Sequence, residues 1–342
     1  MRVLLVTQMW PGPADPDYGS FLVPVVRELE ALGHGVDVAA LDRRGGSRTK
    51  YGRLTQAAVA AARRRRPDVV FTHFLFPTGA AGALAALAAR APLVVMAHGQ
   101  DVANLGSIRG VTPATRWVVR RATTVIANSR WLADRLSRRV PPAAAKTEVV
   151  DCGVDLEAFY PRPAASARRG LCWDGDGPAF LCVGSLIRRK NVVRLADAFE
   201  RLGRGRLAFI GDGPLRGGLE GRAGVHVGGR IPQTEVIPWI AACDVVCQPS
   251  LVEPFGQATL EGMAMERSVV ATTIGGPREF VTPEAGILVD PYDTDALAAA
   301  LDRAAELPSP NPAARAAAAE HDVRRQAARM AAVLERAISA RR

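Results

Sequence analysis

Twelve short apolar runs, most of them β-branched, recur along the 342 residues, and their spacing constrains the fold more than any other feature. Six fall at 2–7, 36–40, 68–72, 93–97, 123–127 and 147–151. Six more fall at 179–184, 207–211, 225–227, 244–248, 268–272 and 286–289. Such runs suit strands buried on both faces. Helical patterns lie between them. Phe21, Val25, Leu29 and Leu32 share one face behind Ser20, a candidate cap, and Leu260, Met263 and Ala264 mark another. Strand–helix alternation predicts parallel sheets joined by right-handed crossovers. The stretch 152–178 carries Pro161, Pro163, Gly170, Gly175, Gly177 and Pro178 and reads as a linker. A chain this long exceeds one ordinary core. The expectation is an N-terminal Rossmann-like domain at 1–160 and a second at 161–310. A C-terminal helix at 311–342 should pack back across them.

Several classes are excluded. No stretch reaches the roughly 18 uncharged apolar residues of a membrane span, since the best candidate, 80–98, is broken by Arg90 and Pro92. The N-terminal apolar run reads as a buried strand, not a signal peptide. Five cysteines without a C-x-x-C pattern point to a reducing, cytoplasmic setting. Residues 1–160 hold 21 Lys and Arg against 13 Asp and Glu, or +8, whereas the remainder holds 23 against 21, or +2. A basic first half suits phosphates or an anionic membrane face. Only three residues are lysine, so arginine-rich composition alone is an equal account. The Arg63–Arg66 run has no interleaved aromatics and is no nucleic-acid patch. A basic, Trp-bearing segment at 112–140 could touch a bilayer, or form two ordinary helices.

Parallel sheets bind ligands beyond the carboxyl ends of their strands. The loop 8–20 after the first run has no G-x-G-x-x-G, which opposes a dinucleotide enzyme. Its Gly19 could bring a backbone amide to an anion, or simply turn the chain. His98-Gly99-Gln100-Asp101 follows the fourth run, and His73 follows the third. After the seventh run stand Ser185, then Arg188-Arg189-Lys190, three cations where a phosphate would sit. Gly211-Asp212-Gly213-Pro214 follows the eighth as a tight turn expected to lead into a helix with exposed amides. The most specific feature is Glu253-Pro254-Phe255-Gly256-Gln257-Ala258-Thr259-Leu260-Glu261. Gly256 opens a helix whose free amides suit a diphosphate, and each carboxylate can accept from vicinal hydroxyls. Asp15-Pro16-Asp17, Asp174-Gly175-Asp176 and Asp293-Thr294-Asp295 read as turn chemistry, not as metal ligands.

Together these motifs, with Gly33-His34-Gly35, Asn128-Ser129 and Gly275-Gly276, resemble the family-4 retaining glycosyltransferases of the GT-B fold (glycosyltransferase group 1). The resemblance spans both halves. It implies two Rossmann-like domains facing across a cleft, and a nucleotide-sugar donor held mainly by the second. Lys190 resembles the lysine on the donor diphosphate. Glu261 resembles the glutamate on the ribose, and Glu253 the one on the transferred sugar. The amides of Phe255, Gly256, Gln257 and Ala258 would meet phosphate and sugar, as would the Gly211 turn. His98 matches the histidine facing the sugar, and Gly19 the glycine near the diphosphate. Main-chain groups near Arg230 and Ile231 would hold the base. Many members carry arginine where this chain has Ser185, so Arg188 or Arg189 stands in, or phosphate binding is weaker.

The resemblance implies transfer of a hexosyl group with retention, from a UDP-sugar or else a GDP-sugar, to a glycan, lipid-linked or small-molecule acceptor. Neither metal nor cofactor is expected; His98, Lys190 and Glu253 are the candidate catalytic residues. The enzyme would be cytoplasmic, with peripheral contact at the inner membrane face, and would bind no nucleic acid. Competing readings are an epimerase of the same architecture and a catalytically silent sugar-nucleotide-binding subunit.

Overall fold

All twelve runs form strands in the computed structural model, which describes residues 1–341. The first six are β1 (Arg2–Thr7), β2 (Gly35–Ala40), β3 (Val69–His73), β4 (Leu93–Ala97), β5 (Thr124–Ala127) and β6 (Thr147–Val149). They make one parallel sheet in the order β2-β1-β3-β4-β5-β6. The next six are β7 (Ala179–Val183), β8 (Arg206–Ile210), β9 (Val225–Gly229), β10 (Val245–Gln248), β11 (Ser268–Thr272) and β12 (Gly286–Val289). These make a second parallel sheet, ordered β12-β11-β10-β7-β8-β9.

The chain divides into two compact units, residues 1–153 with 323–342, and residues 154–322. The period of two along each strand splits the first unit's core into two layers. Leu4, Val6, Val70 and Val95 face the helices Thr49–Arg65, Thr78–Ala89, Val111–Arg121 and Arg130–Arg139. Val3, Leu5, Phe71 and Met96 face the helices Leu22–Ala31 and Val323–Ser339. In the second unit Leu181, Ile210 and Val246 pack on one layer, while Phe180, Phe209 and Val270 pack on the other.

Three expectations need correction. Residues 154–178 are no linker. They include the helix Ala164–Gly170. Arg168 grips Asp244 through both carboxylate oxygens at 2.8 Å, and Trp173 is buried. Pro and Gly density marked an irregular path, but an ion pair in which Arg168 Nη2 meets both Asp244 oxygens, and a buried aromatic, anchor it to the second unit. The stretch 311–342 is two helices, Pro312–Ala319 and Val323–Ser339. Ala314 and Ala318 join the second unit's core, whereas Val323, Met330 and Leu334 join the first unit's. The helix after β1 begins at Leu22 with no side-chain cap, so Ser20 does not cap it, and Leu32 is exposed.

Candidate functional site

Most of the predicted residues fall on the second unit, in loops after β7 to β10. The sheet order reverses between β7 and β10, the crevice where such folds take ligands. The chain after β7 runs through Ser185, which is exposed, into a 3-10 turn at Arg188–Lys190. Lys190 Nζ donates to Glu253 Oε2 at 2.7 Å, which joins the loops on either side of the reversal. Ser250 Oγ donates to the same oxygen at 2.9 Å. Arg189 donates from Nη1 to the Val252 carbonyl at 3.2 Å, so Arg189, not the exposed Arg188, is the arginine brought to Glu253. Burial works to raise the Glu253 pKa. The Lys190 and Arg189 charges, with hydrogen bonds from Lys190 and Ser250, outweigh it and hold the carboxylate below its usual range.

Backbone approach fixes these loops. A Cβ on Gly275 would collide with the Glu253 carbonyl, and Gly276 N donates to that same oxygen at 2.9 Å. Gly256 has φ 112° and opens the helix Gln257–Ala264 with no side-chain cap. The Phe255 ring is buried against Phe280 and His321, so only its backbone can meet a ligand. Glu261 lies inside this helix and is buried. Gln233 Nε2 donates to Glu261 Oε1 at 3.1 Å. Burial lifts Glu261 to about 7 against the opposing hydrogen bonds from Gln233 and Gln257. Arg230 and Ile231 follow β9.

The Gly211 turn departs from expectation. It leads into a 3-10 turn at Arg216–Gly218, not a helix. Gly211 N donates to the Gly229 carbonyl at 2.7 Å, and Gly213 N to Asp212 Oδ1 at 2.9 Å, so neither amide is open to an anion. Both glycines serve close packing, since a Cβ at either would strike the backbone of 184–186.

In the first unit, Gly19 has φ 76° and presses on the Met9 carbonyl; the loop 8–20 folds back on itself. Thr78 Oγ1 donates to Gln8 Oε1 at 3.0 Å, which ties this loop to the one after β3 at the order reversal between β1 and β3. Arg44 binds Asp15 at 2.9 Å and Asp17 at 2.7 Å. His98 follows β4, part-exposed between Phe21 and Phe74. Asp101 is buried and accepts backbone hydrogen bonds from Leu75, His98, Gly99 and Val102. Burial raises its pKa and those four donors oppose the rise. Burial depresses His98 to about 3.

Sequence reasoning missed Ser250 and Gln233. Ser250 stands in the same loop as its partner Glu253, three residues before it, whereas Gln233 acts through Glu261 on another helix; the Glu253-to-Glu261 motif was the one signal near either.

The profile of Glycosyltransferase Family 4 matches residues 19–158, and that of Glycosyl transferases group 1 matches residues 177–306. A D-inositol 3-phosphate glycosyltransferase of Kribbella flavida is 32% identical over 301 residues, 78% of this chain and 70% of that protein. The chain belongs to the family 4 glycosyltransferases. Its fold is shared with sucrose-phosphate synthase from Thermosynechococcus elongatus, at TM-score 0.81 and 22% identity over 99% of this chain and 100% of that one. It is shared too with Anabaena HepE, solved with UDP-glucose, at TM-score 0.77 and 22% identity over 98% and 99%. This glycosyltransferase therefore has the GT-B architecture expected of it.

Proposed function

We propose that this glycosyltransferase moves a hexosyl group from a UDP-sugar, with retention of anomeric configuration, to a glycan, lipid-linked or small-molecule acceptor. The observation that carries this is the Lys190–Glu253 pair at the β7/β10 reversal, beside the uncapped helix that holds Glu261. Lys190, Arg189 and the amides of 256–258 supply a fixed positive field where the leaving diphosphate gains charge. Glu253, kept ionised, accepts from the sugar hydroxyls, and Glu261 accepts from the ribose. His98, on the first unit, is read as a sugar contact. The departing phosphate oxygen takes the acceptor proton on the same face, so neither a separate protein base nor a metal is required. UDP is favoured because HepE was solved with UDP-glucose. Incubation with a panel of UDP- and GDP-sugars and candidate acceptors, followed by nucleotide release and product anomer, tests this. Release from UDP-sugars with a retained anomer is expected. No release from any donor, or an inverted product, would overturn it.

The acceptor side includes an anionic surface. Among the described residues no helix is long and apolar enough to cross a membrane. The four helices on one face of the first sheet carry twelve Lys and Arg against one acid, Asp134. Of the two tryptophans there, Trp131 packs on the core, while Trp117 is exposed, as is Leu87. This face suits the inner, anionic leaflet. Sedimentation with phosphatidylglycerol vesicles, and not with phosphatidylcholine, is expected; equal binding to both would remove the idea.

A further inference from the structure

The buried imidazole of His73, the last residue of β3, has no part in the donor reading, yet it touches the ring that does. His73 Nδ1 lies 2.8 Å from His98 Nε2. We propose that His73 is a positioning residue whose Nδ1–H donates to His98 Nε2, fixing the His98 tautomer that offers Nδ1–H to a hydroxyl oxygen of the transferred sugar. This rests on the reading of His98 as a sugar contact.

Two neutral imidazoles joined by one hydrogen bond have one donor and one acceptor. Both rings here are neutral at ordinary pH, because burial drives His73 well below its usual value, with the neighbouring His98 charge adding to the effect, and burial holds His98 at about 3. If His98 donated, the accepting His73 would carry its proton on Nε2. That atom is buried with no hydrogen-bond partner. Among backbone groups a buried N–H without an acceptor is rarer than an under-used carbonyl, and we carry that order over to the ring, where either state of a bare nitrogen forfeits its hydrogen bond with water. If His73 donates instead, the atom left bare in the core is a lone pair. The second arrangement therefore prevails, and His98 then carries its proton on Nδ1.

The surroundings hold that tautomer in place. His98 is fixed through its own backbone, since its amide and that of Gly99 donate to Asp101 at 3.2 and 2.8 Å. Phe74, 4.5 Å between ring centroids, and Phe21, 5.6 Å, flank the imidazole. Phe71 lies 4.5 Å from the His73 ring. Among the described residues no group bonds His98 Nδ1, and His98 is part-exposed, which in this reading leaves the Nδ1 proton for a ligand. A sugar hydroxyl both donates and accepts. A fixed N–H serves its lone pairs.

Nitrogen-15 NMR of the full chain labelled at histidine, with signals assigned from His73 and His98 variants, reads the tautomer directly. The expected result at neutral pH is His98 protonated on Nδ1 alone and His73 protonated on Nδ1 alone. His98 protonated on Nε2 would overturn the proposal, and the wild-type protein suffices to see it. In His73→Phe the bias is lost, a His98 Nε2–H population appears, and kcat/KM for the intact donor falls about tenfold, the size of one net hydrogen bond. Affinity for the bare nucleoside diphosphate is unchanged, which a general loss of structure would not spare. His73→Asn places an amide donor near the lost Nδ1 and restores both readouts. An unchanged tautomer in His73→Phe, or no recovery in His73→Asn, would also overturn it. Undiminished transfer by His98→Ala would instead sink the sugar-contact reading on which the proposal rests, whatever the tautomer.

Discussion

The two units share a six-stranded parallel sheet with helices on both faces, yet their strand ends differ in charge. Around the second sheet's reversal a lysine, an arginine and two carboxylates converge. At the first sheet the charges of the loops after β1 and β2 are spent on one another, Arg44 on Asp15 and Asp17, while the loop after β4 offers an imidazole that burial keeps neutral and a carboxylate, Asp101, committed to four backbone amides. One fold can thus present two chemistries, because strand-end loops vary while the sheets stay packed. The charged end suits a leaving diphosphate. The neutral end suits hydroxyls, where a fixed donor orients without adding net charge.

The largest effect should come from unbalancing the charged end. Lys190 and Glu253 are nearly buried, with side-chain exposures of 17% and 10%. Removing one partner of such a pair leaves the other charge uncompensated, typically at 3–5 kcal/mol. Lys190→Met should therefore lower stability by about that much and abolish most turnover. Adding Glu253→Gln should recover most of the stability and none of the turnover. Thermal melts and donor turnover of the single and double variants measure both. If Lys190→Met melted like the wild type, the charged end would not be held by this pair.

Glu261 gives a somewhat smaller effect with a defined pH dependence. Its pKa in the fold is raised from 4.5 to about 7 by burial. A carboxyl with a raised native pKa favours the fold fully below 4.5, and that advantage is lost as pH climbs to about 7. Glu261→Gln, which keeps a carbonyl for Gln233, should be neutral for stability near pH 4.5. Above pH 7 it should stabilise the fold by at most about 3 kcal/mol, at 1.36 kcal/mol per pKa unit. Nucleotide affinity should rise with pH through about 7 in the wild type and stay flat in the variant. A stability gain independent of pH would show that ionisation of Glu261 is not the cause.

Asp101 tests the neutral end. Asp101→Ala strips the acceptor from four backbone amides, and each that stays buried and unmet should cost roughly 1–3 kcal/mol, less what is regained by removing a buried carboxyl. Because two of them are His98 N and Gly99 N, donor kcat/KM should fall while nucleoside diphosphate affinity holds. Equal loss of both would mean that the two ends are not chemically separate.

How much of this was legible in the sequence follows from the range of each interaction. Strands buried on both faces, such as β3, β4, β8 and β11, announce themselves as apolar runs; the edge strands β2, β6 and β9 are only part-buried and are legible as less uniformly apolar runs at the same spacing. Glu253 and Glu261 could be placed because the loop and helix that carry them are continuous. Gln233 acts through Glu261, brought from another helix, and nothing local marks it; Ser250 stands three residues from Glu253 and His73 is visible at the end of its run, but which atoms they meet is set by the fold. The Gly211 amide was misjudged for the same reason, since its acceptor is Gly229, on β9. Residues 154–178 misled because Pro and Gly report backbone shape. They say nothing of an Arg168–Asp244 ion pair that spans 76 positions.

The smallest effect expected is none. Chelation of divalent ions should leave turnover unchanged. The charged end brings its own cations, Lys190 and Arg189, beside a helix start with no side-chain cap, and a positive field there is the service that a metal performs elsewhere. The aspartate pairs have other work. Asp15 and Asp17 both hold Arg44, which fixes the loop after β1 to the one after β2. Asp293 caps the helix Thr294–Ala305 by accepting from Ala296 N at 2.9 Å. Asp15→Asn with Asp17→Asn should therefore loosen the loop 8–20 and lower thermal stability modestly, with no change in metal response. Turnover lost on chelation and restored by manganese or magnesium would place a metal at the charged end. If the double variant also lost that restoration, the metal would belong to the first unit, and the division between a charged and a neutral end would have to be redrawn.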